Sequence, residues 1–493
     1  MNTFVNGVNN ELTKTKTENG ANAYVTTKSP LVDMFGIIGS IRDRNEYDVF
    51  GIFEEAFKED ALLATKMAFY ARNIRGGLGE RKTFKTIIKH LANKHTEVMR
   101  KNIFFVADFG RWDDLYALVG TPLESEIWEM FGTQLMLDIE NMTAGNSISL
   151  LAKWLKSANT SSNKSRALGR LTAKKLGLTE KEYRITLSVL RNYIDIVEAR
   201  MSNNEWTEIK FNEVPSRAMS IYRTAFMKRV PEAFEGFIAK VESGEETINA
   251  ATLYPYDIFA AMEVRAGGWR NDNLSCNDDK ISELQWKALP NYIEKPMNLL
   301  VMADTSGSME GKPLNTAVSL AVYFAERNTG EFKDLFLTFS SRPKFVRLKG
   351  DTLAEKVRGI EALIDNTDLE AALDLVLKTS VDNKVTMEDM PKAIVVISDG
   401  EIDYFGYSDR SWSFLSVMEE KFNAAGYDMP KIVMWNVEAR RDTFLEKITN
   451  PKIQYISGSS PSAFKSLIDN IDKSAYDLMV ATLSDPTYDC ITV

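Results

Sequence analysis

The sequence predicts a multidomain α and α/β chain, in which an α-helical array precedes a doubly wound, Rossmann-like α/β domain. Three observations predict it. The 493 residues exceed what one ordinary core serves, so at least two domains are expected. From about Pro30 to Pro290 apolar residues recur three and four apart, as in "FGIFEEAFKEDALLATKMAFYARNI" and "YRITLSVLRNYIDIVEARM", which is the period of amphipathic helices. After "ALPNYIEKP" short apolar runs alternate with helical stretches, the pattern of strands buried on both faces in a mostly parallel sheet with right-handed crossovers.

Taken in order, residues 1–29 read as an N-terminal extension and 30–295 as the helical domain. Its breaks fall at "RGGLGERK", "SANTSSNKS", "NEVPSR" and "WRNDNLSCNDDK". Each helix pair is expected to bury its apolar stripe against the next, without a fixed sequence period. Residues 296–475 read as the α/β domain, with strands in "MNLLVMAD", "LFLTFS", "AIVVIS", "KIVMWNV" and "IQYIS" and helices in "NTAVSLAVYFAER", "DLEAALDLVLK" and "SFLSVMEEKFNAAG". The tail, 476–493, either completes that fold or docks on the first domain.

With 44% hydrophobic and 26% charged residues, the composition is that of a soluble globular protein. The start has no secretory pattern and no apolar run approaches the ~18 residues that cross a bilayer, so a cytoplasmic protein is expected. Two distant cysteines, Cys276 and Cys490, exclude a disulfide scaffold and offer no CxxC pair. The only histidines, His90 and His95, form no HExxH and are expected as solvated or partly packed helix residues. From Met297 onward 30 acidic residues outnumber 21 basic ones, which accounts for the whole net charge of −9. Residues 141–179, in contrast, hold Lys153, Lys156, Lys164, Arg166, Arg170, Lys174 and Lys175 and no acid, a candidate anion-binding surface.

The chemistry concentrates in "VMADTSGSME", where Asp304, Ser306 and Ser308 alternate just past the first apolar strand. Gly307 is expected to supply the flexible turn. Downstream, Thr367 stands in "DNTDLEAAL" and Asp399 follows the strand "AIVVIS". In an open α/β sheet, ligands bind at the carboxyl ends of the strands. All five side chains are hard oxygen ligands, suited to Mg²⁺, Mn²⁺ or Ca²⁺ rather than zinc. With only two carboxylates, such an ion keeps positive charge and open positions for an acidic side chain from a partner. The competing structural account is polar turn residues capping helices at Asp304 and Asp399. "GSMEGKP" fails as a P-loop because its glycines are too close and Pro313 stands where a Ser or Thr is required. Ser306 likewise stands where a nucleophile elbow needs glycine.

This arrangement resembles the metal-ion-dependent adhesion site of von Willebrand factor A domains, whose DxSxS, Thr and Asp elements match Asp304, Ser306, Ser308, Thr367 and Asp399 in order. A helical array followed by such a domain is similar to the TROVE/Ro class of RNA-binding proteins, especially its phage, bacterial and plant relatives. The stretches carrying that likeness are "ENGANAYVTTKSPLVDMFGIIGSIRD", "FYARNIRGGLGERKTF", "VADFGRWDDLY", "LLAKWLKSA", "EYRITLSVLRNYIDIVE" and "VPSRAM". The resemblance implies a HEAT-like helical ring or solenoid that binds single-stranded or structured RNA. Its candidate RNA residues are Arg72, Arg75, Arg81 and Lys82 around the Gly-rich turn, with the Lys153–Lys175 cluster.

Each candidate has a plainer counterpart. "RGGLGERK" also suits a tight helix connection in which Gly76, Gly77 and Gly79 take positive φ and Glu80 opens the next helix. The basic cluster also suits a solvated face. Trp154 and Tyr183 are base-stacking candidates whose commoner fate is core packing, expected for Trp112 too. The leading expectation is therefore a non-enzymatic, Ro-like RNA-binding ribonucleoprotein component with a Mg²⁺-dependent protein partner. Its alternative is an assembly or scaffolding protein, for example phage-associated, that uses the metal site without RNA. A metal-dependent hydrolase lacks an evident general base.

Overall fold

The computed structural model describes residues 3–266, 273–362, 366–403 and 413–493. The chain opens with a helix, Thr3–Leu12, and a small antiparallel hairpin, β1 (Lys14–Lys16) and β2 (Asn22–Tyr24). "TKTKT" alternates with period two and Asn19–Gly20 marks the turn, so the hairpin has a local cause. The region read as an extension is thus structured.

Helices then follow at Pro30–Ile37, Glu46–Glu59, Ala61–Arg72, Arg81–Lys94, Glu124–Thr143, Asn163–Lys175, Glu180–Tyr193, Ser216–Arg229 and Pro231–Ser243, with shorter ones between them. Their starts obey capping chemistry. Ser29 accepts from the Val32 amide ahead of Pro30, Asp60 from Leu63, and Thr179 forms a capping box with Glu182. Within residues 197–284 a separate small core gathers Phe211, Phe226, Phe234 and Phe237. The remaining helices share one continuous apolar core with the sheet.

Six strands build that sheet: β3 (Leu299–Asp304), β4 (Leu335–Phe339), β5 (Lys344–Arg347), β6 (Ala393–Ser398), β7 (Lys431–Asn436) and β8 (Ile453–Ser457). Their order is β5-β4-β3-β6-β7-β8, parallel throughout except for the β4–β5 hairpin at the edge. Every residue of β3, β6 and β8 is buried, so both faces of the sheet are covered. The chain leaves β3 towards β4 on one side and returns through β6 on the other, which makes the β3/β6 crevice the topological switch point. Ala303 pairs with Ile397 there, leaving Asp304 level with Ser398.

The first part of the chain covers the far edge of this sheet. Helix Pro30–Ile37 lies on β8 and β7. Behind it, Gly39 meets Gly458 so closely that a Cβ at position 39 would stand 2.6 Å from the Gly458 Cα. The Ser457 hydroxyl donates to the Phe35 carbonyl at 2.9 Å and accepts from the Gly39 amide at 3.0 Å. The tail docks on the first part: helix Ala475–Leu483 packs on Ala61–Arg72, and Tyr488 stacks on Phe109 while accepting from Asn73. Among the described residues no helix is long and apolar enough to cross a membrane.

Candidate metal centre

Because β3 and β6 end side by side, Asp304, Ser306, Ser308 and Asp399 occupy neighbouring loops at the switch point. Asp304 is fully buried. Its Oδ1 accepts from the Ser306 amide at 2.9 Å and its Oδ2 from the Ser398 hydroxyl at 2.6 Å. The Ser306 and Ser308 hydroxyls lie 3.2 Å apart. Gly307 lies in the turn, where it begins a short 3₁₀ segment, Gly307–Met309, without a positive φ. Gly311, at φ +89°, makes the sharp turn into helix Lys312–Arg327.

Thr367 reaches the same region through the loop after β6: its amide donates to Asp403 at 2.6 Å and its carbonyl accepts from the Asp403 amide at 3.0 Å. Asp399 Oδ1 accepts from the Glu401 amide at 3.1 Å. Among the described residues, Thr367 Oγ1, Asp399 Oδ2, Glu401 Oε1 and Asn436 Oδ1 are buried without a hydrogen-bond partner. Buried polar atoms left this way are costly; Glu401 and Asn436 both contact Asp399, and Thr367 is tied to the same loop through Asp403. Burial, then the nearby Asp399 charge, push the Asp304 carboxyl well above the ordinary carboxylate range. Burial raises Glu401 as well.

A hard divalent cation fits this donor set, since it supplies the missing partners for oxygens and offsets the charges of two buried carboxylates. Asp304, Ser306, Ser308, Thr367 and Asp399 are the residues that would hold it. Among the described residues no group of three or more His, Cys, Asp or Glu side chains gathers as a metal site. The set here is two carboxylates with three hydroxyls.

Ser398, Glu401, Asn436 and Arg440 belong to no motif, yet all sit here. Asn436 Nδ2 donates to the Asp399 carbonyl at 3.3 Å, and Arg440 donates to the Ser308 carbonyl at 2.7 Å. Their positions just past β6 and β7 follow the same strand-end rule that singled out Asp304. The β1–β2 hairpin closes the flank: Glu401 accepts from the Glu18 amide at 2.5 Å and its carbonyl from the Asn19 side chain at 2.8 Å. Beside it lies a small cavity of about 20 Å³, lined by Thr17, Ser398, Trp435 and Tyr455 among others, large enough for one water molecule.

The candidate RNA residues are placed differently. Arg72 is buried and donates to Asp114 at 2.7 Å, so it faces no ligand. Arg81 bridges Asp113 and Asp114, and Lys156 reaches Asp113 at 2.8 Å. Lys85 and Arg111 join the same two acids. Burial alone would raise both carboxyls, but Lys156, Arg111 and Arg81 at Asp113 outweigh it, as Arg72, Arg81 and Lys85 do at Asp114, and both stay below the usual range.

Lys82 stands near Asp43, Arg170 near Glu180 and Lys175 near Glu124. Arg75, Lys164 and Lys174 are exposed and Lys153 half-buried. Arg166, Arg170 and Lys174 fall at four-residue spacing on helix Asn163–Lys175, which puts them on one face. That helix crosses the 156–157 backbone at Gly169, where a Cβ would stand 2.5 Å from the Ser157 carbonyl carbon.

Tyr183 is buried and donates to the Lys156 carbonyl, so it stacks on no base, while Trp154 lies under Arg111 at 4.0 Å. In "RGGLGERK" only Gly79 takes positive φ, at +67°. Gly77 is there for space, because a Cβ would meet the Tyr70 carbonyl oxygen at 2.1 Å.

Comparison with known sequences divides the chain just before β3. The family described as "Domain of unknown function (DUF2828)" matches residues 17–127 and 122–299, more than half of the chain. The chain belongs to the DUF2828 family. A second family, "Domain of unknown function (DUF7788)", matches 298–484, so the two meet where β3 begins. "Uncharacterized protein L728" of Acanthamoeba polyphaga mimivirus is 27% identical over 496 residues, covering 92% of this chain and 84% of that protein. No solved structure matches.

Proposed function

We propose that this DUF2828 protein is a non-enzymatic, Ro-like binding protein. Its α/β unit is a von Willebrand factor A domain that holds Mg²⁺, or Mn²⁺ or Ca²⁺, and recruits a partner through an acidic side chain. One observation carries the metal part: Thr367 Oγ1 and Asp399 Oδ2, two of the five oxygens singled out by motif, are buried with no partner. The strand order and the switch-point position of Asp304 support the domain assignment. Both histidines are committed to Glu54 in the helical part, so neither serves this site as a general base. Calorimetric titration with Mg²⁺ tests the proposal: the wild type takes up the ion, Asp304→Ala does not, and both unfold cooperatively. Equal uptake by the two proteins refutes the site.

In this proposal single-stranded or structured RNA lies along the HEAT-like helical part, on Arg166, Arg170 and Lys174, which share one face of helix Asn163–Lys175, with Lys164 exposed at its start. Arg72, Arg81 and Lys156 serve the fold. Each phosphate contact contributes about −0.7 to the slope of log affinity against log salt. Arg166→Ala, Arg170→Ala and Lys174→Ala together therefore make the slope shallower by about two units.

The scaffolding alternative has its own support in an exposed apolar stripe, Ile185, Val189 and Tyr193, on helix Glu180–Tyr193. No binding of single-stranded RNA at low salt decides for it.

A further inference from the structure

Arg440 lies four residues past the end of β7. Its Nη2 donates to the Ser308 carbonyl at 2.7 Å and stands 3.9 Å from Asp399 Oδ2, one of the buried oxygens without a hydrogen bond. At 3.9 Å there is no hydrogen bond, but the Coulomb attraction of opposite charges persists. Asp304 and Asp399 are both buried at this point, and two carboxylates in one low-dielectric crevice call for a positive charge nearby. The Arg440 side chain is 40% exposed, so its guanidinium has a route into solvent.

The loop bearing Arg440 is gripped from the helical part. The Ala439 amide donates to the Ser40 carbonyl at 3.1 Å, the Ala439 carbonyl accepts from Arg44 Nε at 2.8 Å, and Arg44 pairs with Asp442 at 2.5 Å. Whatever moves Arg440 therefore pulls on Ser40 and Arg44, at the end of the segment that packs on β8.

We propose that Arg440 is the resident counter-charge of the metal site: it partners Asp399 when no cation is bound, is displaced when one arrives, and passes that change to the helical part through residues 439–442. This rests on the metal assignment above. A dication and a guanidinium cannot both crowd Asp399 Oδ2 without repulsion, so the arginine lowers cation affinity. Lysine at 440 keeps the charge; glutamine removes it and retains a donor for Ser308.

The test is calorimetric titration of the full chain with MnCl₂ and MgCl₂, comparing wild type, Arg440→Gln, Arg440→Lys and Asp304→Ala, with hydrogen exchange followed over residues 40–44 and 438–444. Arg440→Gln binds about tenfold tighter, Arg440→Lys stays near wild type, and cation addition increases exchange in both segments of the wild type but not of Arg440→Gln. Equal affinity in wild type and Arg440→Gln overturns the counter-charge while leaving the metal site standing. Weaker binding by Arg440→Gln also overturns it and makes the residue a prop for the Ser308 turn. Uptake by none of the proteins removes the metal assignment and this inference together.

Discussion

Glu54 commits both histidines of the chain to one carboxylate. His90 Nε2 and His95 Nε2 donate to Oε1 at 2.6 and 2.8 Å, and Lys94 donates to Oε2 at 2.6 Å. Phe50 stacks on His90 and Phe57 on His95, which fixes both rings. Burial by itself would raise the Glu54 carboxyl, but the hydrogen bonds from Lys94, His90 and His95 prevail and lower it from 4.5 to about 2. A folded-state pKa below the unfolded one adds stability that is complete above about pH 4.5 and is lost as the pH falls from there towards 2. Glu54→Gln therefore unfolds at lower urea than wild type at pH 7, and the gap narrows below pH 4.5. A gap unchanged at pH 3 would show that the charge is not what Glu54 contributes. Nothing local in "KHLANKH" announced this, because the acid lies 36 residues before His90.

The 3₁₀ turn Trp112–Leu118 shows what was and was not legible at the scale of elements. Strands β3, β4, β6, β7 and β8 stood out because a short, continuous apolar run bounded by turn residues suits a strand buried on both faces. Strand β5 did not, since "KFVR" buries only Val346. The hairpin in the segment read as an extension did not stand out either, because its run "TKTKT" is polar and its stability comes from contacts with residues 401–403 and 444. In "GRWDDLY" only Trp112 is singled out by the sequence, yet Asp113 and Asp114 are buried and neutralise bases from three other segments. Ion pairs between distant segments leave no periodic trace, which is why Arg72 and Lys156 looked available for phosphate. Asp114→Ala leaves the buried Arg72 guanidinium unpaired, a loss of about 3–5 kcal/mol. Replacing both, with Asp114→Leu and Arg72→Met, recovers much of it. Urea unfolding of the single and double variants measures the difference, and a double variant no more stable than the single would mean that packing around Arg72, not its charge, is at stake.

Across the whole molecule, the division at residues 298–299 between the two families is not a division of the core. Helix Pro30–Ile37 covers β8, with a Cβ at Gly36 reaching 3.1 Å from the Tyr455 Cβ, and Phe35, Ile37, Phe444 and Tyr455 are all buried in the same cluster. Tyr24 and Phe444 exchange backbone hydrogen bonds at 2.8 and 2.9 Å, so the hairpin extends the α/β unit with a segment from the opposite end of the chain. In return the tail places Tyr488 and Ile491 within the core that the helical part supplies. Residues 298–493 expressed alone would expose the β8 face to water, at about 25 cal/mol per Å² of apolar area, and would also lose the hairpin that covers Glu401 beside the proposed metal centre. That fragment is therefore expected to bind a hydrophobic dye, lose cooperative unfolding and take up Mg²⁺ more weakly than the full chain. Supplying residues 1–297 as a separate chain restores cooperative unfolding and cation uptake, since the contacts are non-covalent and need only proximity. A soluble 298–493 fragment that unfolds cooperatively and binds Mg²⁺ like the full chain would show instead that the N-terminal segment rests on a finished domain. In that event Ser40 and Arg44 would have no part in setting the Arg440 loop.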